Sequence, residues 1–151
     1  MGNAFYSAYE QRLKSVQVGD VMSRYPVTVE EDISIESAAH ILMKFRISGI
    51  PVVDSAGALK GVITATDLFN VLHDILVDID SQKDPTSKFQ VRVQDLMAKQ
   101  VHSVSESQSL YEVAKLMCEK NTYTLPVLRG KEIVGVIGRR DVIHAVYSFR
   151  P

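Results

Sequence analysis

The sequence lacks the features that would point to several large classes of protein. It has no tryptophan, one cysteine and a net charge of −1. The lone Cys118 cannot form a disulfide within the chain, which fits a reducing cytosol, so a cytoplasmic location is expected. The small net charge gives no bulk attraction for DNA or RNA. No apolar run approaches the ~18 residues that a membrane span needs, so no membrane partner is expected.

Patterns that carry catalysis are also missing. The four histidines show no metal-ligand spacing, and neither a P-loop nor a GxGxxG motif occurs. No nucleophile lies in a recognisable relation to a base. The sequence therefore predicts a protein that is not an enzyme and requires no metal or cofactor.

The chain instead contains an internal repeat, with a spacing of 75 residues that becomes 74 after a turn shortened by one residue. The matching segments are Asp20–Met22 with Asp95–Met97, Ile50–Val52 with Leu125–Val127, Gly61–Ile63 with Gly135–Ile137, and Asp67 with Asp141. The shortened turn fits an exposed hairpin loop, which tolerates changes in length. By the same alignment Cys118 matches Met43 on a helix, so we expect a packed, inert thiol.

Each copy has the pattern of a strand, a helix, two strands and a closing helix. Apolar residues at helical spacing predict the first helix, and Ser109 to Glu112 reads as a capping box that starts its counterpart. The expected strands are Ile50–Val53, Leu59–Thr64, Leu125–Leu128 and Ile133–Ile137. The expected closing helices are Thr66–Asp80 and Arg140–Tyr147.

The repeat sets the domain organisation. Residues 1–17 form a helical extension with Phe5, Tyr9 and Leu13 on one face, 18–80 the first copy, 81–92 a flexible linker and 93–151 the second copy. A copy of about 55–60 residues is small for a core of its own. We therefore expect an α+β fold in which two β-α-β-β-α units pack with pseudo-twofold symmetry.

Two pairs of motifs carry a family resemblance. "VGDVMSRYPVTVEED" with "GIPVVDSAGALKGVITATDL" resembles a cystathionine-β-synthase (CBS) domain, and "VQDLMAKQVHSVSESQSL" with "TLPVLRGKEIVGVIGRRDVI" resembles a second. Together, from about Val18 to Val146, they resemble a CBS pair, or Bateman module. The resemblance implies regulatory binding of AMP, ADP, ATP or S-adenosylmethionine in clefts between the copies. It also implies a homodimer. Because the sequence shows no effector domain, we expect an effector protein that is regulated in trans.

The same resemblance assigns the ligand-binding residues of two clefts. The first cleft would comprise Thr28, Gly49, Ile50, Pro51, Thr64, Thr66 and Asp67, and the second Ser103, Thr124, Leu125, Pro126, Gly138, Arg139, Arg140 and Asp141. The two aspartates would hold the ribose hydroxyls, and Thr64 and Thr66 would serve the sugar and phosphate. A strand that runs into a helix also leaves free N–H groups at the helix start, which favour anions.

The second copy departs from the pattern. Gly138 replaces a hydroxyl residue, and Arg140 replaces Thr66 beside Arg139, which favours a more negatively charged ligand. Other interpretations stay open: Thr66 or Asp67 as helix caps, and Arg139 and Arg140 as a solvated pair or a subunit contact. A different functional class is also open, a constitutive dimeric scaffold with degenerate clefts that serves protein interaction.

Overall fold

The computed structural model describes residues 2–149. Met1, Arg150 and Pro151, at the ends of the predicted terminal segments, lie outside the described residues. The chain divides into two compact units, which we call the central unit (Val27–Val101) and the split unit (residues up to Pro26 and from His102 onward). None of the helices in the described range combines the length and the apolar sequence that a membrane span requires.

The secondary structure alternates helices and short strands. In chain order the elements are α1 (Gly2–Ser15), α2 (Val18–Val21), β1 (Ser23–Arg24), β2 (Val29–Glu30), α3 (Ile35–Phe45), β3 (Gly49–Val53), β4 (Leu59–Thr64), α4 (Ala65–Asp80), α5 (Thr86–Phe89), α6 (Val93–Leu96), α7 (Leu110–Lys120), β5 (Thr124–Arg129), β6 (Glu132–Gly138) and α8 (Arg139–Tyr147). The predicted α+β class is confirmed, and the predicted strands and closing helices agree with these bounds to within a residue or so.

The central unit is built on a three-stranded sheet in the order β2-β3-β4. Strand β2 runs parallel to β3, and β3 runs antiparallel to β4. Ile50, Val52 and Ile63 alternate toward the core, where they meet Ala38 and Leu42 of α3. Helix α3 begins where the Ser34 hydroxyl accepts a hydrogen bond from the Ser37 N–H at 3.1 Å. Because α3 packs against the sheet, it also helps to hold the end of β4, where α4 begins.

The split unit repeats this arrangement with β5, β6 and helices α7 and α8. Val104 forms a short parallel bridge to Val127, in the place that β2 takes in the central unit. The core includes Leu110, Leu125 and Ile137, all fully buried. The Ser109 hydroxyl accepts a hydrogen bond from the Glu112 N–H at 3.2 Å, so the predicted start of this helix is confirmed.

Helix α1 belongs to the split unit and packs through its aromatic side chains. The Phe5 and Tyr9 rings meet edge to face at 5.0 Å, and Tyr9 meets Phe149 in the same way at 5.7 Å. The Arg12 guanidinium lies 5.3 Å from the centre of the Phe149 ring. The stripe predicted on this helix is therefore a packing surface, although Phe5 remains 57% exposed.

Each unit also takes up a segment from the other sequence repeat. We call residues 18–24 and 93–98 the exchanged segments. In the split unit Ser23 pairs with Val136, and in the central unit Ala98 pairs with Val62. The sequence repeat and the compact units therefore have different boundaries, although the pattern is the same in both units.

Two glycines make room for the exchanged segments. A β-carbon at Gly61 would lie 2.6 Å from the Met97 Sδ atom, and one at Gly135 would lie 2.7 Å from the Met22 Sδ atom. The methionine side chains can shift, but the same β-carbons would lie 2.7 Å from the Ala98 carbonyl oxygen and 2.8 Å from the Ser23 carbonyl oxygen, and these backbone atoms leave no room for a side chain. The recurrence of glycine at the matched positions thus reflects a close approach between a strand and a neighbouring chain segment.

One expectation differs from the structure. Cys118 is exposed, so the predicted packed thiol is wrong; its repeat partner Met43 is itself 67% exposed, and both lie on the outer side of their helices. Residues 81–92, which the sequence predicts as a linker, include the short helix α5, and the last of them, Arg92, forms an antiparallel bridge with Ser34.

Candidate functional site

The candidate site of the central unit lies where β4 ends and α4 begins. Thr64 is the N-cap residue of α4. Its hydroxyl accepts a hydrogen bond from the Asp67 N–H at 3.3 Å, and Asp67 Oδ2 accepts from the Thr64 N–H at 2.8 Å and the Thr64 hydroxyl at 3.0 Å. This reciprocal arrangement fixes the Asp67 carboxylate at the positive end of the helix.

The contacts with Thr64 occupy only one of the two carboxylate oxygens of Asp67. Both hydrogen bonds from Thr64 reach Oδ2, whereas Oδ1 has no hydrogen-bond partner within the described part of the chain. The side chain is only partly buried. The capping interpretation is therefore correct for one oxygen and leaves the other available to an external donor. Thr66, one residue earlier, is exposed and has no cap role.

The remaining first-cleft residues line the neighbouring strands. Gly49 lies directly across from Thr64 in the antiparallel pair β3–β4, and Ile50 and Pro51 are fully buried beside it. Thr28 is exposed and immediately precedes β2, whose Val29 pairs with Val52. The fold thus brings Gly49, Thr64 and Asp67 to one end of the sheet, with Thr28 at the level of Pro51.

The split unit carries the matching arrangement at the junction of β6 and α8. Thr124 lies directly across from Gly138, and Leu125 and Pro126 are buried next to it. The Gly138 N–H donates to Asp141 Oδ2 at 2.8 Å. Ser103 is exposed and precedes Val104, whose N–H donates to the Pro126 carbonyl at 3.0 Å.

The second junction differs from the first in its hydrogen bonds. Gly138 has no hydroxyl, so no side chain caps α8. The N–H of Asp141 consequently lacks the side-chain acceptor that Thr64 provides for Asp67. Burial raises the pKa of the Asp141 carboxyl above its usual range, while the hydrogen bond from Gly138 and the nearby His144 act in the opposite direction. The carboxylate is thus less well stabilised in its ionised form than an ordinary exposed aspartate.

The two arginines at this junction have different surroundings. The Arg139 guanidinium lies 5.1 Å from the centre of the Tyr123 ring, and the Arg139 N–H donates to the Tyr123 carbonyl at 3.2 Å. Arg140 is exposed and has no ion pair or hydrogen bond from its side chain among the described residues. A stacked arginine is held in place, whereas Arg140 can reorient toward a bound anion.

Tyr123 contacts the candidate site through Arg139 and was not among the residues predicted from the sequence. In the central unit Ser48 has the equivalent place, because its carbonyl accepts from the Ala65 N–H at 2.8 Å. The repeat spacing aligns Ser48 with Tyr123 and Ala65 with Arg139. Comparing the two copies at those positions would have revealed an aromatic–arginine pair that only the second copy has.

Comparison with known proteins assigns the two sequence repeats to one family. A model of the CBS domain family matches residues 18–74 and 93–148. The chain is 26% identical to CBSX2, solved in complex with AMP, with a TM-score of 0.71 over 89% of this chain and 98% of that one. It is 27% identical to the CBS domain pair of protein MJ0100, solved with 5′-methylthioadenosine and S-adenosyl-L-methionine, with a TM-score of 0.72 over 88% and 97% of the two chains.

Longer relatives also match. The chain is 30% identical over 126 residues to an L-aspartate semialdehyde sulfurtransferase of Methanocaldococcus jannaschii, which covers 83% of this chain. It spans only 22% of that relative's length. The family match confirms the resemblance inferred from the two motif pairs. The activity named for the longer relative belongs to a whole protein, of which this chain matches only 22%.

Proposed function

The chain belongs to the CBS domain family, and from this premise we propose that it is a regulatory module that binds adenosyl ligands. The ligand class is AMP, ADP, ATP or S-adenosylmethionine, and the chain is not itself a catalyst. The complexes of CBSX2 with AMP and of the MJ0100 pair with adenosyl compounds support this ligand class.

One observation carries the proposal. In each unit an aspartate at the start of a helix is held through Oδ2 by the backbone N–H three residues earlier, at 2.8 Å in both cases. A carboxylate fixed in this way keeps Oδ1 free for a vicinal diol such as the 2′ and 3′ hydroxyls of ribose. The helix N-terminus beside it suits a phosphate or a carboxylate.

A ligand panel tests the proposal. We expect AMP, ADP, ATP or S-adenosylmethionine to raise the melting temperature, because a ligand at 100 times its dissociation constant stabilises the folded state by about 2.7 kcal/mol. Guanosine and cytidine monophosphates serve as controls for phosphate binding alone. Absence of a shift with every adenosyl compound at millimolar concentration would favour the alternative, a scaffold with degenerate clefts.

The split unit has the chemistry for ligands with more than one phosphate. Arg140 is unpaired within the described range, and the Asp141 N–H has no side-chain acceptor. At the matching positions the central unit has the neutral Thr66 and a hydroxyl already bonded to the Asp67 N–H. We therefore propose that the split unit prefers ATP or ADP to AMP, because cation, free N–H and helix dipole act in the same sense.

Helix α4 supports the proposal of a homodimer. Its buried face contains Val71 and Ile75, yet a second stripe of Phe69, Leu72, Leu76 and Ile79 is exposed, with Phe69 at 70%. This stripe lies beside the buried face of the helix, and an exposed apolar patch of this kind marks a surface that another protein covers. A second copy of the chain would cover this stripe, with a total buried area above about 1,200 Å².

Sedimentation tests this assembly. We expect a dimer at tens of micromolar and a shift toward monomer in Leu76→Glu, because the variant places a charge in the apolar stripe. Asn70→Glu adds the same charge on the same helix, at an exposed residue on the side away from the stripe, and should leave the dimer intact. A wild-type monomer, or equal dissociation in both variants, would contradict the proposal.

The proposal also covers the cellular compartment of the protein and the partner that it regulates. The exposed thiol of Cys118 fits a reducing compartment such as the cytoplasm. We place the regulated effector in trans, so that ligand binding would change the affinity for a partner protein. Thermodynamic linkage then requires the partner to change the affinity for the nucleotide by the same factor, which calorimetry can measure once a partner is known.

A further inference from the structure

The two compact units carry net charges of opposite sign. By sequence the central unit has eleven acidic and seven basic residues, which gives a net charge of −4 with neutral histidines. The split unit has seven acidic and ten basic residues, which gives a net charge of +3. The small net charge of the whole chain therefore conceals an asymmetry large enough to influence how surfaces of this protein associate.

Helix α4 of the central unit combines this negative charge with an exposed apolar stripe. The stripe has the 3-4-3 spacing of a seam that packs against another helix and consists of Phe69, Leu72, Leu76 and Ile79. Asp80, one turn after Leu76, is exposed at the edge of the stripe. The helix has four aspartates and neither lysine nor arginine, so its C-terminal end, where the helix dipole favours a cation, has none of its own.

Helix α8 of the split unit has the complementary surface. Ile143 and Tyr147, one turn apart, are 51% and 80% exposed. Arg140 is exposed one turn before Ile143, on the same side of the helix, and its neighbour Arg139 adds a second positive charge. An apolar pair bordered by arginines suits an apolar stripe bordered by an aspartate.

A chain of two units can form a twofold-symmetric dimer in two ways. If like units meet, a charge of −4 faces −4 and a charge of +3 faces +3. If unlike units meet, each central unit faces the split unit of the other chain, and the same contact forms twice. Like charges across an interface repel and opposite charges attract, so the charges of this chain favour the second arrangement.

We propose that the exposed stripe of α4 binds helix α8 of a second copy of the chain, so that unlike units meet in the dimer. The inference rests on the proposed homodimer and specifies which surface of the partner covers α4. When the two helices pack antiparallel, the start of α8 meets the end of α4, and the partner's Arg140 lies near Asp80. That arginine then supplies the cation that the C-terminal end of α4 lacks.

Cross-linking between chains distinguishes the two arrangements. The exposed Cys118 is replaced by serine, and Leu76→Cys and Ile143→Cys are then made in separate chains. We expect a short bis-maleimide to link the two variants to each other when they are mixed, and to link neither variant efficiently to itself. Asn70→Cys, at an exposed residue on the side of α4 away from the stripe, is the matched control and should not link to Ile143→Cys.

Charge exchange tests the polar contact, with sedimentation in the absence of nucleotide because Arg140 is also the candidate phosphate contact. Asp80→Lys should weaken the dimer about fivefold or more, since each dimer contains the contact twice. Adding Arg140→Glu in the same chain should restore the dimer, because the exchanged charges again face each other. Asp74→Lys makes the same charge change on the far side of α4 and should leave the dimer unchanged.

Salt gives a further test that requires no substitution. The wild-type dimer should weaken as sodium chloride is added, because attraction between the unlike units is screened. A dimer of like units would instead become tighter, since screening would relieve the repulsion between them. A dimer that tightens with salt, or a double charge variant that does not recover, would overturn the inference.

The outcomes separate this inference from the proposed function. If wild type is a dimer and Leu76→Cys links to itself as readily as to Ile143→Cys, the homodimer stands and this inference fails. If Asp74→Lys weakens the dimer as much as Asp80→Lys, the polar contact is wrongly assigned. If wild type is a monomer at tens of micromolar, the proposed homodimer fails, and this inference fails with it.

Discussion

Replacing Asp67 by alanine removes two interactions at once, and the structure allows them to be separated. Asp67 Oδ2 accepts two hydrogen bonds from Thr64, which belong to the folded protein. Oδ1, in the proposed function, accepts from the ligand. The variant should therefore lose stability through one oxygen and affinity through the other.

The two magnitudes follow from these contacts. Loss of the hydrogen bonds that Oδ2 accepts from Thr64 costs about 1 kcal/mol, and loss of a negative charge at a helix N-terminus adds about 0.3–1 kcal/mol. The bond from the residue-67 N–H to the Thr64 hydroxyl remains, so the protein should stay folded. Hydrogen bonds between a ligand and a charged group contribute about 1.5–3 kcal/mol. Binding to the central unit should consequently weaken about 10- to 150-fold.

Calorimetry with AMP, combined with chemical denaturation, measures both effects. Ser34→Ala is the matched control, because Ser34 caps α3 in the same unit and its loss should cost about 1 kcal/mol without touching the site. We expect the control to lose stability and keep its affinity. The reasoning would be refuted if Asp67→Ala remained folded with unchanged affinity, or if Ser34→Ala lost affinity to the same extent.

Three further results are expected. Gly61→Ala should destabilise the protein by about 1–3 kcal/mol in denaturant titrations, because the new β-carbon would collide with Met97. Gly138→Ser should instead stabilise the protein by about 0.4–1 kcal/mol, because there is room for a β-carbon at position 138. Equal effects of the two substitutions would contradict the close approach at Gly61. Arg140→Ala should abolish the preference of the split unit for ATP over AMP. In wild type that preference should decline as salt is added, because charges are screened over about 8–10 Å. If the preference persisted in Arg140→Ala and at high salt, Arg140 would be excluded as a phosphate contact. Because burial raises the pKa of Asp141, adenosine binding by the split unit should weaken as pH falls through that raised value, and Asp141→Asn should remove the dependence. The effect of this carboxyl on folding stability has the opposite pH dependence to its effect on binding. Its stabilising contribution is present below the ordinary aspartate pKa of about 3.9 and is lost as pH rises through the raised pKa of the folded state. A rise in folding stability over that pH range would be inconsistent with the pKa shift.

Local sequence signals predicted most of the secondary structure. Ser109 and Glu112 lie close in the chain, and apolar periodicity and turn residues also act over a few positions, so these elements appeared where expected. The repeat also gave the location proposed for the site, at the two strand-to-helix junctions. The sequence did not reveal that Thr64 is the cap and Asp67 its reciprocal partner, since Thr66 was an equally plausible cap by residue type.

Features that depend on distant residues could not be predicted. The pairing of Ser23 with Val136 joins residues more than a hundred positions apart, and no local pattern distinguishes it from pairing within the first copy. The exposure of Cys118 depends on which side of α7 faces the sheet. The alignment with Met43 matched Cys118 to an apolar residue on a helix but did not show toward which side of the helix either side chain points. The opposition of Thr124 and Gly138 required the strand register, which periodicity alone leaves open.

The exchanged segments have a consequence for how the chain can be divided. A fragment ending in the linker would contain β3 and β4 without residues 93–98, leaving the edge of β4 that pairs with Ala98 uncovered. The same fragment would carry its own segment, residues 18–24, with no β6 to receive it. Since the two segments occupy equivalent places in similar sheets, two such fragments could complete each other by trading segments, as in a domain-swapped dimer. The second copy thus supplies, within one chain, the segment that a single copy would have to obtain from another chain.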